Sequence, residues 1–150
     1  MADDVSIGKL ISVLHRKSHV YFQKELRPLG MDRGQVKILT YLAHYPGATQ
    51  GDLTDYFQMD KGTISYFIKR MEKSGYVKKT PNPNDLRIRK LYLTKTGAEK
   101  EKLIRNIFSN WTELLLNNFS DEERVQAFQI LRRMVKNVGF LNENDHAEEK

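Results

Sequence analysis

The 150-residue chain contains no cysteine, which excludes disulfide frameworks, zinc ribbons, thiol nucleophiles and cysteine redox switches. Long apolar runs are missing too. None approaches the roughly 20 residues that cross a bilayer, and the opening Met1–Lys9 stretch lacks the basic-then-apolar pattern of a secretory signal. No nucleophile–base set, metal box or glycine-rich phosphate loop is present, since Gly62 and Gly75 stand alone. The expectation is a soluble, cytoplasmic protein that is not an enzyme, with no cofactor and no resident metal. The length suits one compact domain, with or without an appendage, and is sufficient for a real core.

What is present is positive charge in one place. Lys and Arg number 25 against 19 acidic residues, a formal +6. Between Asp60 and Lys95 lie ten basic and three acidic residues, or +7; the other 114 residues carry 15 basic and 16 acidic groups, or −1. The basic excess therefore occupies one quarter of the chain. Such one-sided clustering is the electrostatic footprint of a polyanion partner, although a solvated face that aids solubility gives the same composition.

Apolar spacing predicts a helix from about 5 to 29, carrying Ile7, Leu10, Ile11, Leu14, Tyr21, Phe22 and Leu26, stopped by Pro28-Leu29-Gly30. A second spans about 32–44, with Val36, Leu39 and Leu42 inward. Thr49-Gln50-Gly51-Asp52 reads as the cap of a third, whose apolar side is Leu53, Tyr56 and Phe57. Asp60 caps a fourth that buries Ile64, Phe67, Ile68 and Met71 and ends at Ser74-Gly75. Tyr76–Lys79 and Arg89–Leu93 read as two strands around the Pro- and Asn-rich loop Thr80–Asp85. Thr94 caps a long helix to about 117, and Ser120-Asp121-Glu122-Glu123 is a capping box for a last one, followed by a polar, frayed tail from Asn142. The order is α-α-α-α-β-β-α-α, a mainly α (α+β) chain. Long amphipathic end helices around so small a middle predict that two chains pack together, with a self-covered monomer as the alternative.

Two short helices joined by a tight turn form a helix-turn-helix arrangement. On the second, Lys61, Thr63, Ser65, Tyr66, Lys69 and Arg70 fall outside the buried stripe, and these types donate to phosphates and base edges. Thr63 and Ser65 are also ordinary first-turn residues, and Tyr66 also fits a boundary position. Gly62 either loosens the first turn or lets the backbone approach DNA. Arg87 and Arg89 sit near the hairpin tip, within reach of a minor groove.

At this point the sequence resembles the MarR family of winged helix-turn-helix regulators, over nearly the whole chain to about residue 140. The most specific stretch is Gly51-Asp52-Leu53-Thr54-Asp55-Tyr56-Phe57-Gln58-Met59-Asp60-Lys61-Gly62-Thr63-Ile64-Ser65. The family's wing signature is matched by Asp85-Leu86-Arg87 and by Leu93-Thr94-Lys95-Thr96-Gly97. The resemblance implies a homodimer, with 1–30 and 98–150 as dimerisation helices and 31–97 as the winged lobe. It implies a sequence-specific repressor of double-stranded DNA on a pseudo-palindromic operator, with half-sites roughly 10 bp apart. It also implies that Arg87 enters the minor groove while the Asp85 carboxylate holds its guanidinium. Leu86 departs from the second arginine often found there, a loss that Arg89 can compensate.

Regulators of this family are released from DNA by small aromatic anions, thiol oxidation or metals, and the lack of cysteine removes the second route. His15 and His19 are four apart on one helix, a spacing that suits a metal, but no third ligand is near in sequence. An aromatic carboxylate or phenol is the expected effector, met by His15, Arg16 and His19 with Trp111 or Phe108 packing on its ring. The main competing reading is a non-specific architectural DNA-binding protein, since clustered charge gives affinity without sequence choice.

Overall fold

A computed structural model describes residues 5–141. The expected frayed tail from Asn142 lies outside them. The chain divides into two compact units, Met1–Trp111 and Thr112–Lys150. Among the described residues, six helices and a small sheet follow in the order α1 (Ile7–Leu26), a 3-10 turn (Arg27–Leu29), α2 (Arg33–His44), β1 (Ala48–Thr49), α3 (Gln50–Phe57), α4 (Lys61–Lys73), β2 (Val77–Asn82), β3 (Asp85–Leu93), α5 (Lys95–Leu115) and α6 (Asp121–Asn137). No described helix is long and apolar enough to cross a membrane.

Short polar side chains start these helices by accepting from otherwise unpaired N–H groups. Reciprocal capping boxes open α2 (Asp32 with Gln35), α3 (Thr49 with Asp52) and α6 (Ser120 with Glu123). The hairpin is longer than the sequence suggested, with only Pro83-Asn84 outside the strands. The small strand β1, not expected from the sequence, adds a third member in the order β1-β3-β2, Ala48 pairing with Leu91 and Thr49 with Lys90. The proline at Pro81 is tolerated because β2 is an edge strand, and the register shifts between Pro81 and Asn82.

The core of the first unit is built where α2, α3 and α4 meet the sheet. Leu39, Leu42, Leu53, Ile64, Ile68, Met71 and Leu91 are all buried, joined by Phe22 and Leu26 of α1 and Ile104 of α5. Tyr56 is a correction: expected on the inner side of α3, it is 63% exposed, and its ring lies 4.6 Å from that of Tyr41. Phe57, one turn after Leu53, takes the inner place. The apolar stripe of α1 divides as well. Phe22 and Leu26 join the core, while Ile7, Leu10, Ile11 and Leu14 remain exposed.

Wing and α5 are joined by a tight set of bonds. The Thr94 N–H donates to the Tyr76 carbonyl at 3.0 Å, and its hydroxyl both donates to the Gly75 carbonyl and accepts from the Gly97 N–H at 3.0 Å. This explains a Thr and a Gly three apart at that junction: one caps α5, and the other leaves room for the Tyr76 carbonyl.

Candidate nucleic-acid interface

Helix α3 leads to α4 through Gln58 in the left-handed conformation and Met59. The Gln50 side-chain amide donates to the Lys61 carbonyl at 3.2 Å, tying the start of one helix to the start of the other. Asp60 then caps α4. Its Oδ1 accepts from the Thr63 N–H at 2.8 Å, and its Oδ2 accepts from the Thr63 hydroxyl. The Thr63 hydroxyl, and next its N–H, hold the Asp60 carboxyl below the usual carboxylate range. A Cβ at Gly62 would lie 3.1 Å from Asp60 Oδ1, so the missing side chain leaves space for the capping carboxylate.

Ile64, Ile68 and Met71 bury the inner face of α4. Lys61, Gly62, Tyr66, Lys69 and Arg70 are exposed, with Thr63 and Ser65 half-buried beside them. Two of these residues have prior engagements. Thr63 gives its hydroxyl hydrogen to Asp60. Arg70 donates to Asp32 Oδ2 at 2.8 Å and sits 5.5 Å from the centroid of the Tyr66 ring. The Asp32 contact was not legible in the sequence, because the partners are 38 residues apart.

On the hairpin, Arg87 and Arg89 are exposed near the tip. The Asp85 carboxylate accepts the Arg87 backbone N–H at 3.0 Å and so shapes the start of β3. Among the described residues it forms no ion pair with the Arg87 guanidinium. The reason is local: a carboxylate two residues before an N–H closes an Asx turn on the backbone. Leu86, the departure from the wing signature, is 73% exposed.

The expected effector residues are not brought together. His15 and Arg16 are exposed on α1, while Trp111 is half-buried against Tyr21, with ring centroids 5.1 Å apart. Of these residues His19 lines a cavity of about 870 Å³ along α1, the 3-10 turn and the start of α2, to which His15, Arg16 and Trp111 do not contribute. The His19 Nδ1 lies 3.0 Å from Arg33 Nη1. Because a guanidinium only donates, this nitrogen is the acceptor and the ring's hydrogen is on Nε2. The cavity is lined by four cations, Lys24, Arg27, Arg33 and Arg70, against one carboxylate, Asp32, with Phe22 as the aromatic wall. No group of three or more His, Cys, Asp or Glu among the described residues is arranged to hold a metal.

The MarR family model matches residues 31–88. The chain is 30% identical over 145 residues to the HTH-type transcriptional regulator BilQ of Clostridioides difficile strain CD3, covering 97% of this chain and 93% of that one. This chain belongs to the MarR family. It is therefore a DNA-binding transcriptional regulator and not an enzyme. A crystal structure of MarR superposes with a TM-score of 0.74 at 30% identity, covering 92% of this chain and 94% of the other. A MarR transcriptional regulator from Methanosarcina mazei Go1 gives 0.73 at 34% identity, covering 87% and 94%. The winged helix-turn-helix fold of the MarR proteins is thus the fold of this chain.

Proposed function

We propose that this MarR-family chain acts as a homodimeric repressor on a pseudo-palindromic operator, with α4 in the major groove and the wing at the minor groove. The observation that carries the reading is the joint exposure of Lys61, Tyr66 and Lys69 on α4 with Arg87 and Arg89 on a projecting hairpin. Lys61 and Lys69 meet phosphates, Ser65 and Tyr66 meet base edges, and an arginine of the wing enters the narrower groove. Gly62, Thr63 and Asp85 shape these elements, through the cap of α4 and the turn into β3. Residues 31–97 form the reading lobe. Acting on chromosomal DNA, such a regulator works in the cytoplasm.

Dimerisation through 1–30 and 98–150 is supported by apolar surface that the chain leaves open. Helix α6 buries none of its 17 residues, yet carries Val125, Phe128, Leu131 and Val135 at helical spacing. Exposed stripes of this kind mark interfaces, and an isolated helix of that length is marginal in water. We further propose that a small aromatic carboxylate or phenolate releases the dimer from DNA by binding the cationic cavity. Of the residues that the sequence offered to such an effector, His19 alone lines this cavity, beside Arg27, Arg33 and Phe22 in place of His15, Arg16 and Trp111.

The test is binding of purified protein to its own upstream intergenic duplex and to a scrambled one across a salt series, alongside its mass in solution. Salt-dependent binding by a dimer that prefers the native duplex supports the reading. Equal binding to both supports the architectural alternative. Titration calorimetry with benzoate tests the effector, and a flat trace at millimolar ligand removes that part alone.

A further inference from the structure

Asp32 performs two tasks with one carboxylate. Its Oδ1 caps α2 by accepting the Gln35 N–H at 3.0 Å, while its own N–H donates to Gln35 Oε1 at 3.2 Å. Its Oδ2 accepts from Arg70 Nη1 at 2.8 Å. The capping box locks the carboxylate in place, so Arg70 is drawn to a fixed point on another helix. Arg70 in turn stands one helical turn after Tyr66, its guanidinium 5.5 Å from the ring centroid and its Nη1 3.5 Å from the hydroxyl oxygen. Next to Tyr66, Phe67 presses on Gly34 of α2 so closely that a Cβ there would lie 2.3 Å from the ring. Tyr66 thus stands beside two side chains that are both anchored on the start of α2.

We infer that Asp32 and Arg70 are a positioning pair for DNA reading, in which Arg70 orients Tyr66 instead of contacting a phosphate. The inference rests on the proposal that α4 reads DNA, and it reassigns Arg70 within that proposal. A guanidinium already bonded to a carboxylate has its charge compensated, and moving it to a phosphate sacrifices that bond. A planar cation stacked near an exposed tyrosine ring, four residues away on the same helix face, restricts the ring's rotamers before DNA arrives. Ordering a reading side chain in advance removes part of the entropic penalty of binding, and does so for the matched sequence above all. The position of Tyr66 is therefore tied to the N-terminus of α2, which touches no base in this docking.

Two variants separate the roles. Asp32→Asn keeps an N-cap of equal quality but turns an amide donor, or a neutral oxygen, toward Arg70. Arg70→Gln removes the cation. Full-length wild type, both singles and the double are compared on the native and scrambled duplexes over the salt series, with thermal melts to establish folding. The expected result is that each single lowers the preference for the native duplex by about two- to fivefold, the range for a half-exposed ion pair. The double is no worse than either single, and the salt slope stays at its wild-type value. Line widths of ¹³C-labelled Tyr66 ring signals in the free protein change in both singles. The inference is overturned if Arg70→Gln weakens both duplexes alike and lowers the salt slope by about 1, the mark of a phosphate contact. It is equally overturned if Asp32→Asn leaves preference and ring signals unchanged. A wild type with no preference between duplexes is a different failure, that of the DNA-reading proposal, and it is visible before any variant is made.

Discussion

Gly97→Ala is a single methyl placed where the fold has no room for it. The new Cβ would lie 2.0 Å from the Tyr76 carbonyl oxygen, 2.9 Å from its carbon and 3.1 Å from its Cα. A carbon–oxygen contact settles at about 3.3–3.6 Å, so one backbone must retreat by more than about 1 Å. The retreating atom is backbone and already engaged, since the Tyr76 carbonyl accepts the Thr94 N–H at 3.0 Å. Overpacking of this kind costs about 1–3 kcal/mol, and a weakened hydrogen bond adds about 1 kcal/mol. Against these stands the helix propensity of alanine over glycine, at most about 1 kcal/mol. The net loss is about 1–3 kcal/mol, and a loss of 2 kcal/mol lowers the melting temperature of a chain this size by about 4–8 °C. Thermal melting followed by circular dichroism measures it, at one fixed protein concentration because an oligomer's midpoint moves with concentration. A variant that melts at or above wild type would refute the claim that Gly97 exists to admit the Tyr76 carbonyl.

The other expectations follow from exposure and charge. Arg87→Ala should weaken binding to native and scrambled duplexes and lower the salt slope by about 1 if the arginine lies against phosphates, whereas Ser65→Ala should change base preference at constant slope; identical behaviour of the two would contradict their division of labour. Phe128→Asp on the open face of α6 should give a monomer in sedimentation velocity and abolish tight operator binding, and an intact dimer would move the interface elsewhere. Because the Asp60 carboxyl is held below its ordinary value of 3.8 in the folded chain, its cap stabilises fully above that value and is lost as the pH falls through the depressed folded value. Asp60→Asn should accordingly flatten the acid limb of the unfolding curve below about pH 4, and an unchanged limb would show that the Thr63 bonds do not survive in solution.

Much of the fold was readable because its signals are local. Thr49 with Asp52 and Ser120 with Glu123 are three residues apart, and all four act as the spacing predicts. Ile64, Ile68 and Met71 recur at helical period, and all three are buried. What escaped was set by distance along the chain or by brevity. Strand β1 has two residues, too few to alternate, and exists only because Leu91 and Lys90 offer backbone partners far downstream. Arg70 shares an outer face with Lys69, and only the fold reveals that a carboxylate 38 residues earlier has captured it. Trp111 read as a possible ring partner for an effector, but packing on Tyr21 and Phe22 already occupies it.

Charge alone does not distinguish a reader of sequence from a coating for DNA, but the proposed docking gives the two contributions to different residues. Of the ten cations between Asp60 and Lys95, two are ion-paired among the described residues, Arg70 with Asp32 and Lys79 with Glu72. The others, on α4, the wing and the first turn of α5, keep their charge available for phosphates. Each that meets one contributes about 0.9 to the salt slope whatever the base sequence. Ser65 and Tyr66 add nothing to that slope, and Tyr66 is 57% exposed on the helix that enters the major groove in the proposed docking. An architectural protein needs the first set alone. The Asp32–Arg70 pair beside Tyr66 and the Phe67 ring against Gly34 also join α2 to α4, so their mere presence fits either protein. A loss of preference for the native duplex in Asp32→Asn, with the salt slope unchanged, is what weighs toward a regulator that discriminates among sequences.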